Sequence, residues 1–124
     1  MFRYDVKGFL QWGFNFWYSQ YAKKELNPFE VSDAGGAFPS GDAYVTYPGE
    51  GGEPLVSLRL KQFYDGIQDM MALQLLATKI GREQVITLLE SDVEAPISFS
   101  QYPQDEAWLL NKREQINRAI AENG

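Results

Sequence analysis

The segment Gly8–Trp17, with the sequence GFLQWGFNFW, decides the fold of this chain. Short apolar runs of this kind usually belong to strands covered on both faces, so the segment predicts a buried strand from Val6 to Phe16. Alternation would give this strand one entirely apolar face, made of Leu10, Trp12, Phe14 and Phe16. The opposite face would mix small, polar and aromatic residues: Phe9, Gln11, Gly13, Asn15 and Trp17. Because no row of partner strands follows, we expect the chain to begin in the middle of a larger fold.

The composition argues against several classes of function. The 124 residues include no cysteine and no histidine, which excludes disulfides, thiolate sites, Ser-His-Asp triads and histidine-ligated metals. A net charge of −6 without a basic cluster argues against nucleic acid as a partner. Arg3, Asp5 and Lys7 interrupt any apolar leader, and no apolar stretch is long enough to cross a membrane. We expect a soluble protein without metal or cofactor, and the sequence assigns no compartment.

Helical patterns occupy the second half of the chain, after a long irregular segment at 18–56. Glycine and proline turns fill that segment, with a short strand predicted at 43–47. Three amphipathic helices are predicted: Leu58–Lys79, Glu83–Glu90 and Gln104–Glu122. Ser57 is a suitable N-cap for the first helix, Gly81 ends it, and Pro103 precedes the third. We expect one domain, with the aromatic strand and glycine-rich loop at 1–56 and the helical part at 57–124.

The charged residues of the helical part are predicted to be solvated or ion-paired, and not to form a metal site. Three alternating carboxylates follow the second helix: Glu90, Asp92 and Glu94. They lack the dense oxygen ligands and fixed glycine of a calcium loop, so a solvated acidic loop is predicted. Asp65 and Asp69 share one face of the first helix, and Arg59 and Lys61 lie one to two turns earlier. Charge pairing between these residues is therefore expected.

Several blocks of the sequence resemble the bacterial domain of unknown function 4091, which occurs in glycoside-hydrolase-like proteins related to glycoside hydrolase family 123. The resemblance begins in the aromatic segment VKGFLQWGFNFW at 6–17 and extends to Glu90. The other matching blocks are DAGGAFPSGD at 33–42, YPG at 47–49, SLRL at 57–60 and DGIQD at 65–69. The order of these blocks is that of the family, and the third helix lies outside the resemblance.

The resemblance implies an α/β fragment, mostly helical: the last strand, long loop and helix of a (β/α)8-type barrel, followed by two further helices. Enzymes of family 123 resemble β-N-acetylhexosaminidases, which use the 2-acetamido group of the substrate with an adjacent Asp-Glu pair, a departure from the two-carboxylate scheme. That pair is not in the matched region. Asp105-Glu106 lies beyond it and is interpreted as helix-start chemistry. We therefore expect sugar contacts but no glycosidase activity from this chain alone, and an N-acetylated hexosamine glycan as the partner of the larger protein.

The sites of barrel enzymes lie where the strands end and in the loops that follow. The candidate substrate-binding residues are therefore Asn15, Trp17, Asp33, Asp42 and Tyr44. Asn15 would hydrogen-bond a sugar hydroxyl or N-acetyl group, and Trp17 would either stack on a sugar or pack in the core. Asp42 follows Gly41 and would either hold two hydroxyls or cap its own turn, and Asp33 lies in ordinary turn sequence.

A second hypothesis is a non-catalytic helical scaffold or protein-interaction module. The aromatic strand and glycine-rich loop favour the carbohydrate hypothesis for the larger protein, whereas the missing barrel strands favour the scaffold for this chain alone. A strand with unpaired edges is a template for pairing, so we also expect self-association into a dimer or larger species through Phe9 to Phe16. A monomer would instead imply pairing within the chain, with 44–47 as the expected partner.

Overall fold

A computed structural model describes residues 1–124 and gives a small α/β protein with three helices and one two-stranded antiparallel sheet. The strands are β1 (Thr46–Pro48) and β2 (Pro54–Val56), and the helices are α1 (Leu58–Ile80), α2 (Arg82–Leu89) and α3 (Glu106–Glu122). In the sheet Thr46 is opposite Val56, Tyr47 opposite Leu55 and Pro48 opposite Pro54. Short 3-10 turns occupy Phe2–Tyr4, Gln20–Ala22 and Glu50–Gly52. None of the helices combines the length and the apolar character that crossing a membrane requires.

The first helix begins at Leu58, as the sequence predicts, and ends at Ile80, one residue later than predicted. The Ser57 hydroxyl accepts a hydrogen bond from the Leu60 backbone N–H at 3.2 Å, which satisfies one of the donors left free in the first turn. Gly81 follows the last turn with a φ of 87°, and its N–H donates to the Ala77 carbonyl at 3.0 Å. A residue with a side chain is strained at that φ, so glycine suits the junction between α1 and α2.

The third helix begins two residues later than predicted because Asp105 caps it instead of lying inside it. The Asp105 carboxylate accepts from the Trp108 backbone N–H at 3.0 Å, and Asp105 has an extended backbone. The Asp105-Glu106 dipeptide therefore has the helix-start role that the sequence predicts.

The predicted strand from Val6 to Phe16 is wrong. The segment is irregular, and its only ladder contact is an isolated antiparallel bridge between Asn15 and Tyr44. Leu10, which was expected on a buried apolar face, is 88% exposed. Chain pairing here is internal: the Phe16 N–H donates to the Ala43 carbonyl at 3.1 Å, and the Val45 N–H donates to the Phe14 carbonyl at 2.9 Å. Self-association therefore no longer follows from unpaired strand edges, and it stays a prediction.

The chain divides into two compact units, and the first is the continuous segment Phe9–Asp65. Its core is formed by Ala34, Ala43 and Tyr44, with partly buried aromatic rings packed around them. The strand predicted at 43–47 is displaced: β1 begins at Thr46, because the residues before it bond to the 14–16 segment instead of to β2. The Ser57 hydroxyl donates to the Val45 carbonyl, which fixes the chain at the start of α1.

The second unit combines Met1–Gly8 with Gly66–Gly124. Its buried core brings together residues far apart in the sequence: Phe2, Leu73, Leu76, Val85 and Ile116. The Arg82 guanidinium donates to the backbone carbonyls of Phe2 and Arg3 and lies over the Phe2 ring, so the first residues of the chain are held to α2. Such charge-assisted bonds are stronger than those between neutral groups.

Candidate functional site

An open cleft of about 270 Å³ lies within the Phe9–Asp65 unit. Three of its lining residues carry charged or amide groups: Gln11, Asp42 and Arg59. The remaining lining residues are small or apolar: Pro39, Ser40, Gly41, Val45 and Phe63. An apolar wall with a few convergent polar groups is typical of sites that bind small organic ligands.

Asp42 joins this cleft to an exposed aromatic ring. One of its carboxylate oxygens, Oδ2, accepts a hydrogen bond from the Trp12 indole N–H at 2.8 Å. The Trp12 ring is 48% exposed and meets the Phe38 ring edge-on, with 4.9 Å between centroids. The second oxygen of Asp42, Oδ1, has no hydrogen-bond partner in the protein. Asp42 therefore orients a flat ring and retains a free acceptor, instead of capping its own turn.

Gln11 is oriented by the same loop. Its side-chain amide donates to the Asp42 backbone carbonyl at 2.7 Å and to the Gly13 carbonyl at 3.3 Å. These bonds fix which end of the amide faces the protein, so the Oε1 oxygen is the end left available to a ligand. Gln11 and Asp42 therefore supply two acceptors to the cleft.

Arg59 contributes the positive charge of the cleft. Its Nη2 donates to the Tyr44 backbone carbonyl at 2.8 Å, and its guanidinium carbon lies 5.2 Å from the centre of the Tyr44 ring. A Cβ built on Gly41 would lie 2.9 Å from Nη1, so a larger residue here would displace the guanidinium. Gly41 also has a φ of 80°, a second reason for glycine at this position.

The other predicted site residues lie outside the lining of this cleft. Tyr44 is buried, and its hydroxyl donates to the Pro28 carbonyl at 2.7 Å. Burial, with a smaller contribution from neighbouring Tyr47, raises the pKa of the Tyr44 phenol. The indole N–H of Trp17 donates to the Thr46 carbonyl at 2.9 Å, and its ring packs on the core.

Asn15 and Asp33 complete the predicted set. Asn15 is exposed and lies in the backbone bridge to Tyr44. One oxygen of Asp33 accepts from the N–H groups of Gly35 and Gly36 at 3.0 and 2.9 Å, which is the turn chemistry considered for it. Of the five predicted residues, Asp42 alone lines the cleft, and sugar contacts by the others stay predictions.

A second open cleft, of about 350 Å³, lies beside the exposed Tyr21 ring. Ser19, Lys23 and the Ala34–Ala37 segment line it, and the Lys23 ammonium is 5.4 Å from the centre of the Tyr21 ring. Tyr21, Ala22 and Ala34 all have a positive φ, of 60°, 53° and 57°. Left-handed backbone costs residues with side chains roughly 1–2 kcal/mol each, so surrounding contacts must hold these turns in place.

Acidic residues of the other unit form ion pairs within it. Glu90 is half-buried and binds Arg3 at 2.6 Å, so it is not the solvated residue that was expected. Asp92 lies 3.0 Å from the buried Lys112 ammonium. The hydrogen bond from the Trp108 indole and then that from Lys112 hold the pKa of the Asp92 carboxyl below its usual value.

On helix α1, Asp69 accepts two bonds from Arg113 at 2.8 Å, so its partner is not the expected Arg59 or Lys61. No carboxylate lies within ion-pairing distance of Arg59.

Trp12, Gln11 and Arg59 were missed as site residues when the sequence alone was considered. The alternation of residues 9–17 places Trp12 on an apolar strand face, and the charge pattern of the first helix predicts a carboxylate partner for Arg59. The sequence held one signal for Arg59. The loop with Gly41 and Asp42 and the SLRL block at 57–60 both belong to the resemblance, and the structure brings them into contact.

Comparison with known proteins agrees with the carbohydrate hypothesis at the level of the family. The family described as "Glycoside hydrolase 123, catalytic domain" matches residues 1–76, which is more than half of the chain and includes the whole cleft. No curated protein matches the chain. The chain belongs to the glycoside hydrolase 123 catalytic-domain family.

Proposed function

We propose that this chain is a carbohydrate-binding segment of a glycoside-hydrolase-like protein, and that the cleft at Asp42 binds the sugar. The observation that carries the proposal is the free carboxylate oxygen of Asp42 beside a ring that the same carboxylate orients. A sugar presents hydroxyl groups around a ring whose C–H faces are apolar. The cleft offers acceptors on Asp42 and Gln11 for the hydroxyls, and apolar surface on Pro39 and Phe63 for a ring face.

Trp12 would extend the site as a stacking platform. Its ring is half-exposed, packs edge-to-face with Phe38, and has its N–H already bonded to Asp42. A ring whose orientation is fixed before binding loses little conformational entropy when a ligand arrives. We thus give Trp12 the stacking role that was one of the two alternatives for Trp17.

The finer identity that we propose follows the family resemblance. The chain would be a segment of the domain of unknown function 4091 that closes a (β/α)8-type barrel, and the glycan would carry an N-acetylated hexosamine. Ile67, Met71 and Leu75 support this context, because they form an exposed apolar row at four-residue steps on α1. A barrel helix covers its sheet with such a row.

We further propose that the catalytic carboxylate pair is supplied from outside this chain. The cleft contains one carboxylate, Asp42, and the Asp-Glu dipeptide at 105–106 begins with a helix cap. Asp42 has no second carboxylate partner in the cleft of the kind that acid-base cleavage of a glycosidic bond uses. We therefore assign binding, and not bond cleavage, to this chain.

The proposal is tested by titrating the ¹⁵N-labelled chain with an N-acetylhexosamine oligosaccharide. We expect the Trp12 indole and Gln11 amide signals to shift together. Asp42→Asn should weaken binding about 10- to 100-fold, because hydrogen bonds to charged groups contribute about 1.5–3 kcal/mol. Asparagine can still accept the Trp12 bond, so the ring should stay in place.

Asp65→Asn is the matched control, since it removes the same charge from an exposed position outside the cleft. Equal binding by wild type and Asp42→Asn, or shifts confined to other residues, would refute the assignment of the cleft.

A second candidate function is a non-catalytic interaction module. The exposed row of Ile67, Met71 and Leu75 favours it, because an apolar row on a helix suits a protein partner as well as a sheet. Absence of any oligosaccharide binding in the titration would favour this second function.

A further inference from the structure

The guanidinium of Arg59 is unusual in this protein because it is partly buried and has no counter-charge. Its Nε atom is buried and has no hydrogen-bond partner. No carboxylate lies within ion-pairing distance of it, although Asp42 lines the same cleft. Charged groups removed from water are normally paired, and an unsatisfied one requires a specific explanation.

The two ends of the guanidinium have different surroundings. Nη2 is used by the protein, through its bond to the Tyr44 carbonyl. Nη1 lies against Gly41 and makes no hydrogen bond within the protein. Unlike Nε, it is accessible to solvent. The contact with the Tyr44 ring and the bond to its carbonyl hold the guanidinium in one orientation. Arg59 therefore presents an oriented, uncompensated donor to the cleft.

We propose that Arg59 binds an oxyanion substituent of the carbohydrate, either the carboxylate of a hexuronic acid or a sulfate ester. The inference rests on the proposed function and names the chemical class of its ligand. Arginine binds planar or tetrahedral oxyanions through charge-assisted hydrogen bonds, which are stronger than bonds to neutral hydroxyls. The Asp42 carboxylate in the same cleft would repel a ligand that carries negative charge along its whole length, but it accepts hydrogen bonds from hydroxyl groups. The ligand that satisfies both residues carries its negative charge at one end and hydroxyls at the other.

The experiment compares three oligosaccharide probes, with inorganic sulfate as a fourth probe, on the full chain by calorimetry and ¹⁵N NMR. One is a neutral N-acetylhexosamine oligosaccharide, the second a hexuronate oligosaccharide, and the third a sulfated N-acetylhexosamine oligosaccharide. We expect at least one charged probe to bind about tenfold more tightly or better than the neutral probe, and to shift the Arg59 Nε–H signal. The advantage should shrink as salt rises, because screening weakens charge interactions at partly exposed sites.

Two variants separate the charge of Arg59 from the general charge of the chain. Arg59→Gln should remove the preference for charged probes. Lys61→Gln removes the same charge from an exposed position on the same helix and should leave the preference intact. Arg59→Gln also loses the bond to the Tyr44 carbonyl, so its melting temperature is measured beside wild type. If that variant does not fold, the Nε–H shift and the salt dependence of the wild type decide the question.

The outcomes distinguish this inference from the proposed function. Equal affinity for neutral and charged probes would overturn the oxyanion preference and leave carbohydrate binding intact. Binding of inorganic sulfate at Arg59 without binding of any oligosaccharide would support the oxyanion site and refute the carbohydrate. Binding of none of these probes would overturn both. A difference between the hexuronate and the sulfated probe would identify the source of the oxyanion.

Discussion

Replacing Gly13 by alanine should strongly destabilise the Phe9–Asp65 unit. A Cβ at this position would lie 2.3 Å from the Ala43 carbonyl oxygen and 2.8 Å from the Ala43 Cα. These are backbone atoms, so the clash cannot be relieved by rotating a side chain, and the two segments must separate.

The size of the effect follows from what separation breaks. Inserting a methyl group into a packed region costs about 1–3 kcal/mol. The bonds that join Phe16 to Ala43 and Val45 to Phe14 would also weaken, at about 0.5–1.5 kcal/mol each. We therefore expect the free energy of unfolding of this unit to fall by about 2–6 kcal/mol.

Urea denaturation followed by tryptophan fluorescence measures the change. A Trp108→Phe background leaves indoles only at Trp12 and Trp17, both within the Phe9–Asp65 unit. Gly8→Ala is the matched control, because a Cβ there would meet nothing within 4 Å. If Gly13→Ala changed the free energy of unfolding by less than about 0.5 kcal/mol, like an ordinary surface substitution, the close packing of the two segments would be refuted.

Two further predictions concern the core and the response to pH. Leu76→Ala should lower the free energy of unfolding by about 2–5 kcal/mol, because the side chain is fully buried and the cavity left behind would not be refilled. Leu58→Ala, at an exposed site, is the reference in the same denaturation assay. Equal losses of stability in the two variants would contradict the prediction. Burial raises the pKa of Tyr44 above its ordinary value of 10.0, so the folded state favours the neutral phenol. The neutral phenol therefore makes its full contribution to the free energy of unfolding below about pH 10. That contribution is lost as the pH rises further, because the tyrosine ionises first in the unfolded chain. Urea titrations between about pH 8 and pH 11 should therefore show a steeper alkaline loss of stability for wild type than for Tyr44→Phe, and identical slopes would count against the shifted pKa.

The helices were predictable because their signals are local. The spacing of apolar residues along Leu58–Ile80, the Ser57 hydroxyl and the glycine at 81 all lie within a few residues of the features they determine. The bounds of α1 and α2 differ from the predicted ones by at most one residue. The start of α3 shifted by two, since an aspartate near a helix start can lie either in the first turn or at the cap. The sequence does not distinguish those two positions, but the extended backbone of Asp105 does.

The aromatic segment and the site depend on distant residues and were predicted poorly. The apolar alternation of residues 9–17 favours a strand, but a regular strand here would lose the close approach of Gly13 to Ala43 and the bond from Trp12 to Asp42. Asp42 was found because it follows a glycine in a loop. Arg59 was not found, because the lack of a carboxylate neighbour is a property of the folded chain and not of the order of residues.

The Arg82 contacts with Phe2 and Arg3 have a consequence for the order in which the protein assembles during synthesis. The Phe9–Asp65 unit is continuous, so all of its residues have been made by the time Asp65 leaves the ribosome. Phe2 and Arg3 must wait for partners that are 80 and 87 positions further along the chain. Contacts between such distant positions form slowly, because a long loop must close first. Phe2 and Arg3 are therefore synthesised before the Phe9–Asp65 unit but packed after it, and until α2 is made the apolar Phe2 side chain has no core to pack in.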